Sequence, residues 1–251
     1  ALDPVVFARE ELGFEADPWQ AAVLRDPARR VALNVSRQGG KSTISSIKAL
    51  HTAIYRGRSL TLLIAPSQRQ STELFRKLQD FREGMDRPPA LIEDNKLSCT
   101  LENKSRIVAL PGSEGTIRGY SAPALVVADE ASRIPDVVFA AVRPMLATSG
   151  GTLALLSTPY GKRGMFYRIF ENPAHWSTYT VPATEISRIP ADFLETERAE
   201  TLEWEFQQEY LCEFVDLESG LSVFSPGDWQ AALSDTVTPY SFERLMAEAT
   251  T

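Results

Sequence analysis

Four short apolar runs, at residues 31–35, 60–65, 124–128 and 152–156, punctuate the chain. Each is continuous rather than alternating in polarity, the pattern of a strand buried on both faces. Helix-period stretches separate them. Ile44, Ile47, Leu50 and Ile54 recur at helical spacing after the first run. After Pro66, Ser67 reads as an N-cap for a helix with Leu74, Phe75, Leu78 and Phe81 inward. Pro135 precedes Val138, Val142 and Met145 at the same period, and Met165, Phe166, Ile169 and Phe170 mark another helix. Such alternation predicts right-handed βαβ crossovers: an α/β fold with a mainly parallel sheet sandwiched by helices.

One insertion breaks the rhythm. Residues 96–101 and 106–110 flank the polar Glu102-Asn103-Lys104-Ser105 and read as a hairpin added antiparallel to the sheet. From Pro190 the chain turns Glu-rich. Leu202, Phe206 and Tyr210 form an i, i+4, i+8 stripe, and a strand is expected at 211–215. Beyond it, Ser219-Gly220, Pro226-Gly227 and Pro239 suggest a tail. The expected organisation is a core at 1–189, a small lid at 190–216 and a linker or tail at 217–251.

Composition narrows the classes. The 251 residues carry 26 Lys+Arg and 33 Asp+Glu, a net charge of −7. No apolar run reaches the roughly 18 residues that a membrane span needs, and the first fifteen do not read as a secretory signal. Cys99 and Cys212 stand apart without a CxxC, which speaks against a disulfide framework or zinc knuckle, and two histidines, His51 and His175, exclude a multi-histidine metal site. Charge is uneven. Residues 1–120 hold 18 basic and 14 acidic side chains, whereas 121–251 hold 8 and 19. Any nucleic-acid contact is therefore local, brief or shared among several copies.

The chemistry begins at Ser36-Arg37-Gln38-Gly39-Gly40-Lys41-Ser42-Thr43, between the first strand and the first helix. There, backbone N–H groups and a helix N-terminus can cradle a triphosphate. Gly39 and Gly40 allow close approach, Lys41 can reach the β- and γ-phosphates, Ser42 can ligand Mg²⁺, and Thr43 would sit near the α-phosphate. Val35 stands where the usual phosphate-loop pattern has its first glycine. Arg37 reads equally as a γ-phosphate ligand and as a solvated loop arginine.

About 90 residues on, Leu125-Val126-Val127-Ala128-Asp129-Glu130 is an apolar strand ending in two carboxylates. Asp129 would hold Mg²⁺, and Glu130 would orient and deprotonate an attacking water. Ser157 and Thr158, ending the fourth strand before Pro159, can sense the γ-phosphate and relay its loss. Upstream, Asp17-Pro18-Trp19-Gln20 offers an aromatic ring to stack on adenine and an amide to read its edge. Arg118, between Gly115 and Gly119, can stabilise charge on a transferring phosphate, in cis or in a neighbour.

Together these residues resemble the ATPase domain of the large terminase subunit, the DNA-packaging motor of tailed bacteriophages. The resemblance runs over residues 17–215. It is carried by the Arg-bearing phosphate loop, Leu63-Ile64-Ala65-Pro66, Ile117-Arg118-Gly119, Val127-Ala128-Asp129-Glu130-Ala131, Ser157-Thr158-Pro159 and Phe206-Gln207-Gln208-Glu209-Tyr210-Leu211. Val35 in place of the first glycine is usual in that family. The resemblance implies a P-loop NTPase fold of the additional-strand, catalytic-Glu type with a lid subdomain. It implies hydrolysis of ATP with Mg²⁺ to move double-stranded DNA through a portal protein into a procapsid, in the host cytoplasm, alongside a small terminase subunit. It further implies a homo-oligomeric ring, commonly a pentamer, with Arg118 matching the finger that acts across the subunit boundary. The chain is expected to be the isolated ATPase domain, without the nuclease domain that usually follows.

Two other readings share features with this one. A superfamily 1 or 2 helicase also has the phosphate loop, the acidic pair and an upstream Gln, but needs a second RecA-like domain. A non-hydrolysing nucleotide-binding assembly module would need no base at Glu130.

Overall fold

The computed structural model describes residues 2–216; the expected tail at 217–251 lies outside the described residues. The four apolar runs become β1 (Arg30–Val35), β2 (Leu60–Ala65), β6 (Leu125–Asp129) and β7 (Thr152–Ser157). With β3 (Leu91–Asn95), β4 (Ser98–Leu101), β5 (Arg106–Pro111) and β8 (Ser177–Val181) they build one sheet, ordered β3-β4-β5-β2-β6-β7-β1-β8. Pairing is parallel from β5 through β8 and antiparallel only at β3–β4 and β4–β5.

Side-chain alternation splits the core in two. Val127, Leu63 and Leu33 face one layer with α1 (Pro4–Leu12), α2 (Pro18–Arg25), α3 (Lys41–Tyr55) and α4 (Gln68–Glu83). Val126, Ala128, Leu62 and Ile64 face the other, with α6 (Asp136–Ser149) and α7 (Gly164–Glu171). Leu50, Leu63 and Leu155 are fully buried, and truncating any of them to Ala would cost about 2–5 kcal/mol. Ser67 caps α4 by accepting from the Gln70 N–H at 3.3 Å.

The expected hairpin is present as β4–β5, but β5 is an integral strand, running parallel to β2 across six register pairs. The strand expected at 211–215 does not form. Cys212 takes a left-handed backbone (φ 61°), and the Cys212 carbonyl accepts from Asn34 Nδ2 at 2.7 Å. The apolar residues there serve as an anchor instead: Phe214 packs on Phe166, Tyr167 and Phe170 of α7. The edge strand beside β1 is β8, whose Ser-Thr-Tyr-Thr-Val sequence is too polar to announce itself. The Glu-rich stretch forms two helices, α8 (Ala191–Glu200) and α9 (Glu203–Glu209), and Leu202 of the expected stripe is an exposed cap between them. Phe206 and Leu194 close a small third cluster with Ala183.

Candidate active site

The parallel strands end on one edge of the sheet, where the loops after β1, β6 and β7 converge. A helix must start at Lys41 because Gly40 turns the chain through a left-handed backbone (φ 92°) that only glycine adopts freely. Gly39 is excluded from carrying a side chain by crowding: a Cβ would meet Val35 Cγ1 at 2.4 Å and Ser36 O at 3.0 Å. The loop is closed by its own lysine. Lys41 Nζ, nearly buried, donates to the carbonyls of Val35 (2.9 Å) and Ser36 (3.0 Å). Ser36 is buried, with its N–H on the Val181 carbonyl.

Ser42 Oγ donates to Asp129 Oδ2 at 2.9 Å, tying the first turn of α3 to the end of β6. Burial first, then the neighbouring Glu130 charge, pushes the Asp129 carboxyl up to about 6; the Ser42 bond and Lys41 oppose that rise. Glu130 follows in a left-handed backbone (φ 51°, ψ 44°), a conformation that costs a non-glycine residue roughly 1–2 kcal/mol. The chain reverses there, and the Glu130 carboxylate meets Ser157 Oγ at 3.4 Å. Ser157 Oγ also lies 2.7 Å from Ser132 Oγ, so Ser132 joins the acidic strand to the end of β7. Thr158 is buried beside it.

A cavity of about 480 Å³ opens over this edge, within the range of small-molecule sites. It is lined by Gln20, Gln38, Gly39, Gly40, Lys41, Ser42, Thr43 and Glu130, and by Arg37 at its mouth. Asp129 faces an adjoining groove of about 570 Å³ that shares Ser42, Lys77 and Glu130 with the cavity. Arg37 Nε stands 3.0 Å from Glu209 Oε2 as an ion pair, while the Arg37 backbone N–H donates to the Glu209 carbonyl at 3.0 Å.

Two sequence-derived positions fall elsewhere. Trp19 packs, partly buried, on the first core layer and does not line the cavity; the aromatic side chain that does is Phe14. Arg118, at the end of the short α5 (Glu114–Ile117), is exposed, pairs with Glu114 and does not line the cavity of its own chain. Phe14 and two further cavity residues were not singled out from sequence. Lys77 of α4 reaches in from the helix flank, its ammonium lowered by burial although Asp129 pulls it upward. Arg188 comes from the segment before α8, 149 residues beyond the Gly39 carbonyl it binds.

A glycine-lined loop between strand and helix, with a hydroxyl bound to the carboxylate ending a neighbouring strand, defines a P-loop NTPase-like fold. Residues 32–229 match the family model for the terminase large subunit, T4likevirus-type, N-terminal, and the chain belongs to that family. It is 28% identical over 253 residues to the large terminase subunit of Thermus phage G20c, covering 86% of this chain and 52% of that protein. The chain thus spans about half the length of the curated relatives it matches. Among solved structures, the large terminase ATPase domain of Thermus phage P74-26 superposes with a TM-score of 0.74 at 22% identity, covering 86% of this chain and all of that one. The large terminase of another thermophilic bacteriophage, solved in complex with ADP, gives a TM-score of 0.63 at 13% identity over 85% of this chain and 52% of that one.

Proposed function

We propose that this chain is the ATP-hydrolysing domain of a phage DNA-packaging motor. One observation carries the reading: the Ser42–Asp129 hydrogen bond brings the phosphate loop and the acidic strand end together at one edge of the sheet. Residues 36–43 would hold the phosphate chain of ATP, with Lys41 leaving its loop carbonyls for the β- and γ-phosphates. Gln20 would face the base, with Phe14 rather than Trp19 as the ring beside it. Glu130, held off Asp129 by the backbone reversal, would accept a proton from the attacking water.

Magnesium fits these residues. Mg²⁺ takes few protein oxygens and keeps water and phosphate oxygens for the rest of its shell. Ser42 and Asp129 offer such a sparse pair, and among the described residues no cluster of three or more His, Cys, Asp or Glu could hold a metal alone. When bound, Mg²⁺ would neutralise charge developing on the phosphate oxygens. Ser157, bonded to Glu130 and Ser132, and the buried Thr158 would register loss of the γ-phosphate. The Gly161 N–H, just beyond, donates to Gln208 Oε1 at 3.1 Å, so that signal would reach α9. Residues 190–216 are proposed as the lid, residues 1–189 as the core and 217–251 as a linker towards a nuclease domain.

The family match supports a proposal for the wider assembly. We propose a homo-oligomeric ring, of five subunits, that moves double-stranded DNA through a portal protein into a procapsid in the host cytoplasm, with a small terminase subunit as partner. Arg118, which does not line its own chain's cavity, would serve a neighbour's. The reading is tested by ATP turnover. Wild-type protein should hydrolyse ATP with Mg²⁺, and Glu130→Gln should bind ATP yet lose hydrolysis. Equal, negligible turnover in both under assembly conditions would favour a binding module.

A further inference from the structure

We infer that Arg188 is a phosphate-binding residue of the nucleotide site, oriented by Asp17, and that it ties nucleotide occupancy to the segment leading into α8. The inference rests on the nucleotide reading above.

Arg188 spans three separate pieces of chain. Its Nη1 donates to Asp17 Oδ2 at 2.6 Å and its Nη2 to the Gly39 carbonyl at 2.5 Å. Asp17 is in turn fixed: its N–H donates to Gln20 Oε1 at 2.8 Å in the capping box that starts α2. The guanidinium therefore stands at a set angle over the phosphate loop. A Cβ on Gly40 would lie 2.9 Å from Arg188 Nη2 and 3.0 Å from Gln20 Nε2. The absence of a side chain at Gly40 is what lets both groups reach the cavity floor.

The two partners of Arg188 are unequal. Asp17 is a charged, well-aligned carboxylate, whereas Gly39 offers a neutral carbonyl. Both bonds have an ionised donor, but only the Asp17 acceptor carries an opposite charge that adds Coulomb attraction to the hydrogen bond. A phosphate oxygen entering the cavity is the better acceptor for Nη2, and Asp17 keeps the guanidinium in place during the exchange. Lys41 stands in the same condition, its ammonium held by the Val35 and Ser36 carbonyls. Both cations are lodged on loop oxygens that an anion can replace.

Placement gives the exchange a consequence. Arg188 lies between the 3-10 turn Ala183–Glu185 and α8, and the neighbouring Ile186 is buried against the loop. Ile186 Cδ1 would be 3.1 Å from a Cβ on Gly39. Any shift of Arg188 toward phosphate would pull on the segment that leads into the proposed lid.

The test uses inorganic tripolyphosphate, which has no base, beside ATP. Their binding is measured by calorimetry with Mg²⁺ on wild type, Arg188→Ala, Arg188→Lys and Asp17→Asn, each first checked for a native melting transition. Losing one charge-assisted contact should weaken both ligands about ten-fold or more in Arg188→Ala. Asp17→Asn should weaken both less, and Arg188→Lys should recover part of the loss. ATP should slow hydrogen exchange at residues 186–200 in wild type but not in Arg188→Ala. Weakened ATP with unchanged tripolyphosphate would place Arg188 on the base and overturn the inference. So would equal binding by wild type and Arg188→Ala, or unchanged exchange at 186–200. A wild type that binds neither ligand would instead remove the nucleotide reading itself. Should Arg188→Ala fail to fold, Asp17→Asn and Arg188→Lys decide by the same comparison of the two ligands.

Discussion

Ser42 and Asp129, 87 positions apart in the chain, share a 2.9 Å hydrogen bond. That contact holds the first turn of α3 against the end of β6, and it keeps a carboxylate where burial opposes its charge. The Ser42 hydroxyl offsets only part of that cost, because Glu130 adds a second negative charge from the next position.

The balance predicts a stability change with pH. Asp129 ionises at about 6 in the folded chain against an ordinary value of 3.8. The folded form thus holds its proton more tightly, so stability from this group is greatest below pH 4 and falls as pH rises to about 6. A rise of that size corresponds to roughly 3 kcal/mol at pH 7. Asp129→Asn should therefore melt above wild type at pH 7 without Mg²⁺, and the gap should close below pH 4. A gap that persists unchanged at pH 4 would exclude ionisation of Asp129 as its cause.

Phe14 and Trp19 should separate by readout. Both pack on the first core layer, but only Phe14 also lines the cavity, where it meets Phe81 edge-on; Trp19 keeps a buried Nε1 that has no hydrogen-bond partner. Phe14→Ala is expected to raise KM for ATP several-fold and, because Phe14 also packs on the core layer, to lower stability as well. Trp19→Ala is expected to cost about 2–4 kcal/mol of stability and leave KM nearly unchanged in the folded fraction. Steady-state kinetics beside urea unfolding would check both, and a reversed pattern would restore Trp19 as the base-facing ring.

These two aromatics mark where sequence stops being informative. The centre of the sheet was legible because strands buried on both faces must be apolar throughout, as in Leu125-Val126-Val127-Ala128. The phosphate loop and acidic pair were legible because each needs its residues side by side. β8 and β3 were not: one edge strand alternates with polar residues and the other is mostly exposed, so neither leaves an apolar run. Nor was the apolar character of 211–215 a sign of a strand, since Phe214 packs on the α7 aromatics instead. Lys77 and Arg188 reach the cavity from distant segments, and no local spacing marks a side chain that acts only through tertiary placement. Periodicity did mark Leu74 and Leu78 as the inner face of α4, and Lys77 flanks that face.

Glu130 should trade stability against activity. Its left-handed backbone suits Asn far better than a long side chain. Both Glu130→Asn and Glu130→Gln remove the proposed base and should lose turnover alike. Glu130→Asn should nevertheless be the more stable of the two, by about 0.5–1 kcal/mol in chemical denaturation. Equal stability would mean that the surrounding contacts, not the backbone conformation, set the strain at this position.

Arg118 provides the decisive case for assembly. Its side chain is 71% exposed and paired with Glu114, outside the cavity that holds Lys41 and Glu130. A finger of this kind is worth about 10³-fold or more in turnover where it completes a phosphoryl-transfer site. Arg118→Ala and Glu130→Gln should therefore each lose nearly all activity alone. In a head-to-tail ring, an Arg118→Ala subunit still carries Glu130, and a Glu130→Gln neighbour still carries Arg118. Random equimolar mixing would complete about a quarter of the junctions, and so restore a comparable share of wild-type turnover. ATP hydrolysis by the mixture, with assembly confirmed by light scattering, reads this directly. Should the assembled mixture stay as inactive as its components, Arg118 would act within its own subunit or not at all, and the exposed Arg118–Glu114 pair would be a surface contact.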